Sequence, residues 1–274
     1  MVTEKIALIP KLIQVVSKAN NAILEIYHQS QACKVHTKSD NSPVTKADMI
    51  SHALLVKGVA ELTPDIPILS EEAIMPLAER KQWKKYWCID PLDGTQEFIS
   101  RNGEFCINVS LIENHQPVLG LIYIPVKNTC YYAVRGNGAF RQIDHCEPES
   151  IHVRPWSLKK TIIAASRGTK LEDAKQFFAN LKEYEIIRAG SARKFCWVAE
   201  GSADLYSRFG NTNEWDTAAG QCIVEEAGGW VVDLEGQPLR YNVRSSTLNP
   251  HFLVVGDTKL LTELKVGKKY DKTS

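Results

Sequence analysis

The chain has 274 residues, enough for one large or two medium domains with a sizeable core, and its 44% hydrophobic and 24% charged content is that of an ordinary globular protein. A formal net charge of +1 gives no global electrostatic basis for binding nucleic acid or membrane. Seven scattered cysteines without a C-x-x-C argue against a disulfide framework or a zinc site and fit a reducing cytosol. No secretory leader and no apolar run of about 20 residues is present, so a cytoplasmic protein is expected.

Apolar residues from Ile6 to Tyr27 recur at three- and four-residue steps and predict an amphipathic helix, with Pro10 suited to a first turn. His28 to Thr37 reads as a polar break or short strand. Thr45 and Asp48 have capping-box spacing ahead of a helix running through Leu62. Ile66 to Ser70 is a short buried strand ending at Glu71-Glu72; Ala73 to Lys85 reads as a loop, and Tyr86 to Ile89 as the next strand. Strands over Glu104–Glu113, Val118–Pro125 and Thr129–Arg135, with a Gly136-Asn137-Gly138 hairpin into Ala139–Arg141, predict an antiparallel meander. Ile151 to Val153 adds a strand, and a boundary between domains 1–150 (α+β) and 151–274 (α/β) is expected between about 145 and 160.

The second half alternates. Strands are expected at Thr161–Ser166, Glu185–Ala189, Ala203–Arg208, Trp230–Asp233 and Phe252–Val255. Helices are expected at Lys170–Leu181, Ala192–Glu200, Thr217–Ala227 and Lys259–Lys265. The basic tail from Lys265 reads as solvated; a peripheral contact with an anionic membrane surface is its second reading.

Three acidic stretches stand out. Asp90-Pro91-Leu92-Asp93-Gly94-Thr95 closes an apolar strand and precedes a short helix that Thr95 can cap. Alone it is either an Asp-Gly turn or a pair of carboxylates holding a hard cation beside a phosphate at a helix N-terminus. Glu71 follows a buried strand, and only one of Glu71 and Glu72 can face a given side of extended chain. Asp216, in Trp215-Asp216-Thr217-Ala218-Ala219-Gly220, is expected at an N-cap, with small residues behind it that allow close packing. Each stretch has a purely structural reading; together they offer carboxylates from both halves of the chain to one crevice.

Ser70-Glu71-Glu72, Asp90 to Thr95 and Trp215 to Gly220, in this order, resemble the inositol monophosphatase superfamily. Asp40 to Asp48, Arg101-Asn102-Gly103-Glu104-Phe105, Gly190 to Phe195 and Tyr206 to Gly210 resemble its bacterial CysQ-type branch of 3'(2'),5'-bisphosphate nucleotidases. The resemblance covers roughly the whole chain. It implies a layered α-β-α-β-α sandwich and a phosphatase that uses two or three Mg²⁺ ions and is inhibited by Li⁺. The expected reaction converts adenosine 3',5'-bisphosphate to AMP and phosphate, in sulfur assimilation or nucleotide recycling. The resemblance leaves open 3'-phosphoadenosine 5'-phosphosulfate as a second substrate, and a monomer or a homodimer. Carried over by position, Glu71, Asp90, Asp93, Asp216 and the Leu92 carbonyl are metal ligands. Asp48 and Thr95 activate water, and Glu71 also touches the scissile phosphate. Glu71, Asp93, Gly94, Thr95 and Asp216 lie at the substrate, with Gly94 and Thr95 offering backbone N–H groups to the phosphate. Ser191, Lys194 and Arg208 hold the nucleotide.

The residue types suit this chemistry. Mg²⁺ takes oxygen ligands, and the motifs contain neither cysteine nor histidine. Carboxylates clustered without a cation repel, so a metal-free site is expected to be loose or partly protonated. Inositol monophosphate or a sugar phosphate as substrate, and a catalytically silent metal- or nucleotide-binding module, are the competing readings.

Overall fold

A computed structural model describes residues 2–29, 35–37, 43–144, 146–168 and 178–267. Its first helix, α1 (Val2–His28), buries Ile9, Leu12, Val16, Ala19 and Ile23 on one face. Pro10 lies inside this continuous helix rather than opening it, on the exposed side. After the small β1 (Val35–Thr37) and β2 (Pro43–Thr45) pair comes α2 (Lys46–Leu62). Its N-terminus is the expected capping box: Thr45 Oγ1 accepts from the Ala47 amide, and the Asp48 carboxylate accepts from the Thr45 amide at 2.7 Å. Gly58 lets α1 approach α2, because a Cβ there would lie 2.5 Å from Val15 Cγ1.

A seven-stranded sheet follows, formed by β3 (Ile68–Ser70), β4 (Lys85–Asp93), β5 (Cys106–Glu113), β6 (Gln116–Ile124), β7 (Thr129–Val134), β8 (Gly138–Ile143) and β9 (Glu149–Ile151), in chain order across the sheet. β3 pairs parallel to β4; every other neighbour is antiparallel. The predicted loop between β3 and β4 contains a turn of helix, α3 (Leu77–Arg80), whose Arg80 is buried and bonded to Asn242 Oδ1 and to the Arg244 and Ser245 carbonyls. A guanidinium tolerates such burial only when most of its charge is met by acceptors, here through Nη1 and Nη2, which composition does not reveal. Strand ends differ from expectation by a few residues: β4 runs on through Pro91, and β9 ends at Ile151.

The second sheet has the order β11 (Tyr184–Arg188), β10 (Thr161–Ala165), β12 (Leu205–Arg208), β14 (Phe252–Val255), β13 (Trp230–Asp233). The first three are parallel, and β14 runs antiparallel to both neighbours. Helices α4 (Thr95–Ile99), α5 (Arg193–Ala199), α6 (Glu214–Glu226) and α7 (Thr258–Glu263), with a 3-10 turn at Pro125–Lys127, complete the described elements. The helix expected over 170–181 falls mostly outside the described residues.

Strand alternation sets the layers. On β4, Trp87 and Ile89 face α1 and α2, while Tyr86 and Cys88 face α5 and α6. In the second sheet, Ala164, Tyr206 and Phe252 turn inward to the same two helices, and Ile163, Leu205 and Leu253 turn outward to Leu260 of α7. The result is helix pair, sheet, helix pair, sheet, helix: the layered sandwich expected. The middle contact is tight. A Cβ on Gly120 of β6 would lie 2.4 Å from the Ala219 carbonyl oxygen of α6. Gly120→Ala is therefore expected to lower stability by roughly 1–3 kcal/mol, the usual cost of overpacking. Thermal unfolding checks it; an unchanged Tm would mean that α6 is free to move away.

Candidate active site

Asp90 and Asp93 are three residues apart, and on a regular strand they would point to opposite faces. The structure places an irregularity between them: Asp90 pairs with Asn108 and Asp93 with Cys106, so three steps on β4 match two on β5. One extra residue shifts the pleat and returns both carboxylates to one side. Pro91 has no N–H to lose from the ladder there. Asp90 Oδ1 accepts the Leu92 amide at 3.0 Å, and Pro91 O accepts from Ser51 Oγ at 2.7 Å, which holds the distorted segment in place.

Asp216 arrives from α6. It is not at the N-cap, as the sequence suggested. Asn213 is the cap, the helix begins at Glu214, and Asp216 is the third helical residue, its Oδ2 accepting the Asn213 amide at 2.8 Å. The carboxylate at that position belongs to a capping box, whose spacing from Asn213 is visible in the sequence only when the earlier start is considered. Likewise Gly94, at φ +94°, rather than Thr95, caps α4, so Thr95 is the first helical residue.

Ligand atoms of Asp90, Asp93 and Asp216 lie within 4.8 Å of one another. Glu71 follows β3, its amide bonded to Ile89 O at 3.1 Å, and its charge acts on all three aspartates. Burial and these neighbours push the Asp90 carboxyl well above the usual range. Burial raises Asp93 to about 6, against the pull of Lys194 and the Asn108 and Ala192 donors. Burial and the Asp93 charge raise Asp216 to about 8. All-oxygen donors that resist ionising together are a fit for a hard divalent cation, whose charge removes that resistance. The Leu92 carbonyl lies beside them, 3.4 Å from Thr95 Oγ1.

On the α2 side, Thr95 Oγ1 donates to Asp48 Oδ1 at 3.0 Å, while Asp48 Oδ2 accepts from Thr45 Oγ1 at 2.6 Å and from the Thr45 amide. Burial raises the Asp48 carboxyl despite these donors.

On the other side a cavity of about 330 Å³ opens from Asp93, Gly94 and Asp216 toward Ser191, Lys194 and Arg208. Ser191 adopts φ +52°, and its hydroxyl receives the Cys106 thiol at 2.8 Å. That turn directs the next amide, Ala192, onto Asp93 Oδ2 at 2.5 Å. Lys194 is buried, its Nζ donating to the Ala189 and Ser191 carbonyls; burial lowers it to about 8. Arg208 donates to Ser166 Oγ and the Asn211 carbonyl, both at 2.9 Å. Of the sequence-proposed residues, Asp93, Gly94, Ser191, Lys194, Arg208 and Asp216 line this cavity, Asp90 joins them through the carboxylate cluster, and Asp48 and Thr95 are joined by their hydrogen bond.

Sequence reasoning passed over Asn108 and the Ala192 amide, which both donate to Asp93, and the Glu104–Arg167 pair at the cavity rim. The register of β5 points to Asn108, and the Arg101–Phe105 block contains Glu104. Arg167 had no local signal.

Comparison with known proteins agrees with this geometry. The chain is 42% identical over 248 residues to the 3'(2'),5'-bisphosphate nucleotidase CysQ of Escherichia coli (strain K12), covering 90% of this chain and 99% of that one. It is 38% identical over 237 residues to the protein of that name from Haemophilus influenzae, covering 85% and 87%. The crystal structure of CysQ from Bacteroides thetaiotaomicron, described as a bacterial member of the inositol monophosphatase family, superposes with a TM-score of 0.78 at 39% identity, over 90% of this chain and 96% of that one. A lithium-soaked staphylococcal inositol monophosphatase-1 shares the fold at 20% identity and a TM-score of 0.78. With the family model matching residues 7–265, the chain belongs to the inositol monophosphatase family.

Proposed function

We propose that this chain is a Mg²⁺-dependent 3'(2'),5'-bisphosphate nucleotidase, which hydrolyses the 3'-phosphate of adenosine 3',5'-bisphosphate to give AMP and phosphate and also accepts 3'-phosphoadenosine 5'-phosphosulfate. The observation that carries the reading is one cleft with a carboxylate cluster at one end and Lys194 and Arg208 further along it. A single phosphate needs only the first; a bisphosphate needs somewhere to put the other.

Glu71, Asp90, Asp93, Asp216 and the Leu92 carbonyl would hold two or three Mg²⁺ ions, which would supply charge neutralisation at the phosphoryl group and help for the leaving alkoxide. Thr95 holds its hydroxyl against Asp48 at 3.0 Å, so a water donating to Thr95 can pass a proton toward that carboxylate. The amides of Gly94 and Thr95 would be offered to the phosphate, and in-line attack needs no covalent enzyme intermediate. Glu71 shares the reacting phosphate with the cluster. Ser191, Lys194 and Arg208 line the part of the cavity that receives the nucleotide. Inhibition by Li⁺ is part of the reading. Among the described residues no helix is long and apolar enough to cross a membrane.

Phosphate release is the test, measured with adenosine 3',5'-bisphosphate and with inositol 1-phosphate, each with and without Mg²⁺. A kcat/KM at least about tenfold higher for the bisphosphate is expected, the scale of one charge-assisted contact. Preference for inositol phosphate would overturn the substrate, and absence of Mg²⁺-dependent release from either would overturn the phosphatase.

A further inference from the structure

Three polar side chains on one face of α2 reach the segments that carry the carboxylates. Asp48 accepts from Thr95 Oγ1 at 3.0 Å, and Ser51 Oγ donates to Pro91 O at 2.7 Å. His52 Nδ1 and Ser70 Oγ share a hydrogen bond of 2.9 Å. Positions 48, 51 and 52 are neighbours on a helix surface, three and four residues apart. The first two ties act on the Asp90–Thr95 segment. The third acts on the chain that delivers Glu71, and nothing in the proposed chemistry accounts for it.

Ser70 is buried and is the last residue of β3, opposite Ile89 of β4. The chain then turns sharply. The Ala73 amide donates to Ser70 O at 3.0 Å, so Glu71 and Glu72 occupy the two central positions of a tight turn. On the cluster side, the Glu71 carboxyl is hydrogen-bonded to Asp90. Glu71 thus stands one residue beyond the ladder, and its direction depends on how the turn is seated. The Glu71 amide on Ile89 O fixes the backbone of that corner; His52 fixes the Ser70 side chain beside it. Burial lowers the His52 imidazole from its ordinary value, so the ring is neutral at neutral pH and brings no charge toward the carboxylates. Mg²⁺ demands near-octahedral oxygen geometry, so the seating of one carboxylate is felt in its affinity.

We propose that His52 is a positioning residue for the cation centre: through Nδ1 on the Ser70 hydroxyl it seats the Ser70–Ala73 turn and so aims Glu71 at Asp90 and Asp93. The inference rests on the reading of Glu71 as a Mg²⁺ ligand.

The test is Mg²⁺ binding to the metal-free protein by titration calorimetry, beside the Mg²⁺ dependence of phosphate release from adenosine 3',5'-bisphosphate. His52→Leu is expected to raise the Mg²⁺ Kd and the Mg²⁺ concentration for half-maximal rate roughly tenfold or more, the scale of losing a group behind a metal ligand, with a much smaller change in the rate at saturating Mg²⁺. His52→Asn, whose amide reaches the position of Nδ1, should recover most of the affinity. His52→Gln, whose amide reaches the position of Nε2, should not. These two variants differ by one methylene, so they decide the question even where His52→Leu does not fold. Ser70→Ala should weaken Mg²⁺ binding about as much as His52→Leu, and the double variant no more than either. Equal Mg²⁺ affinity in His52→Asn and His52→Gln would overturn the proposal, as would a lowered metal-free Tm with Mg²⁺ affinity unchanged. If the wild-type protein binds no Mg²⁺ and shows no Mg²⁺-dependent release, the function reading fails; if it does both and His52→Leu matches it, only the role of His52 does.

Discussion

Asp93→Asn is expected to abolish Mg²⁺-dependent phosphate release, lowering kcat/KM by roughly 10³-fold or more, while the protein stays folded. The size follows from the position. Asp93 shares the cation cluster with Asp90 and Asp216, and is also the acceptor that anchors the Ala192 amide and Asn108. An asparagine oxygen can still accept from those donors, so the fold keeps its contacts. The negative charge that would draw a cation is lost, and with it stabilisation of the developing phosphoryl charge; loss of even one neutral donor at such a position costs about 10²–10³ in rate. Activity and far-ultraviolet circular dichroism on the same preparation separate the two outcomes. Near-wild-type turnover would remove Asp93 from the metal centre.

The second large effect is on stability and depends on pH. Asp216 titrates at about 8 and Asp93 at about 6 in the folded chain without metal, against about 3.9 for an unfolded aspartate. Both folded-state values are raised, so between about pH 4 and pH 8 the folded chain holds protons that the unfolded chain has released. Stability of the metal-free protein should therefore fall as pH rises through that window. Asp48, Asp90 and Glu214, also raised by burial, act with the same sign. Lys194, lowered to about 8, acts oppositely, but only above that pH. Glu104 and Glu113, held low chiefly by Arg167 and by Lys5 and Lys85, act only in acid. Mg²⁺ competes with those protons, so its stabilisation should be several degrees in Tm at pH 8 and much smaller at pH 5.5. A Mg²⁺ shift of equal size at both pH values, or metal-free stability that rises across the window, would contradict the cluster electrostatics.

Much of this site could be read from the chain because its chemistry is packed into short stretches. Asp90 to Thr95 contains two carboxylates, a turn-forming glycine and a hydroxyl, and the capping box at Thr45–Asp48 was legible from spacing alone. What stayed hidden depends on register and long-range pairing. That Asp90 and Asp93 share a face follows from one extra residue against β5, which no periodicity within β4 reveals. The true start of α6 was obscured because Asp216 is a good N-cap residue in its own right, while Asn213 is held in the cap by Thr247 and Asn249, more than 30 residues away. The buried Arg80 and the rim pair Glu104–Arg167 join segments 63 or more residues apart, and a single sequence shows each only as a surface charge. The fold was easier to read than the site. The layers follow from alternation along β4 to β7, where both faces of nearly every strand are buried.

The Thr45–Asp48 cap has a consequence for how the enzyme fails. The carboxylate that braces Thr95 is the same one that accepts the first orphan amide of α2. Fraying of one helical turn therefore releases the proposed proton acceptor long before the sheets separate. Loss of activity on warming would then be a local event that precedes global melting. The solvent exchange rate of a single amide hydrogen, that of Thr45, would follow the fraction of molecules competent for catalysis.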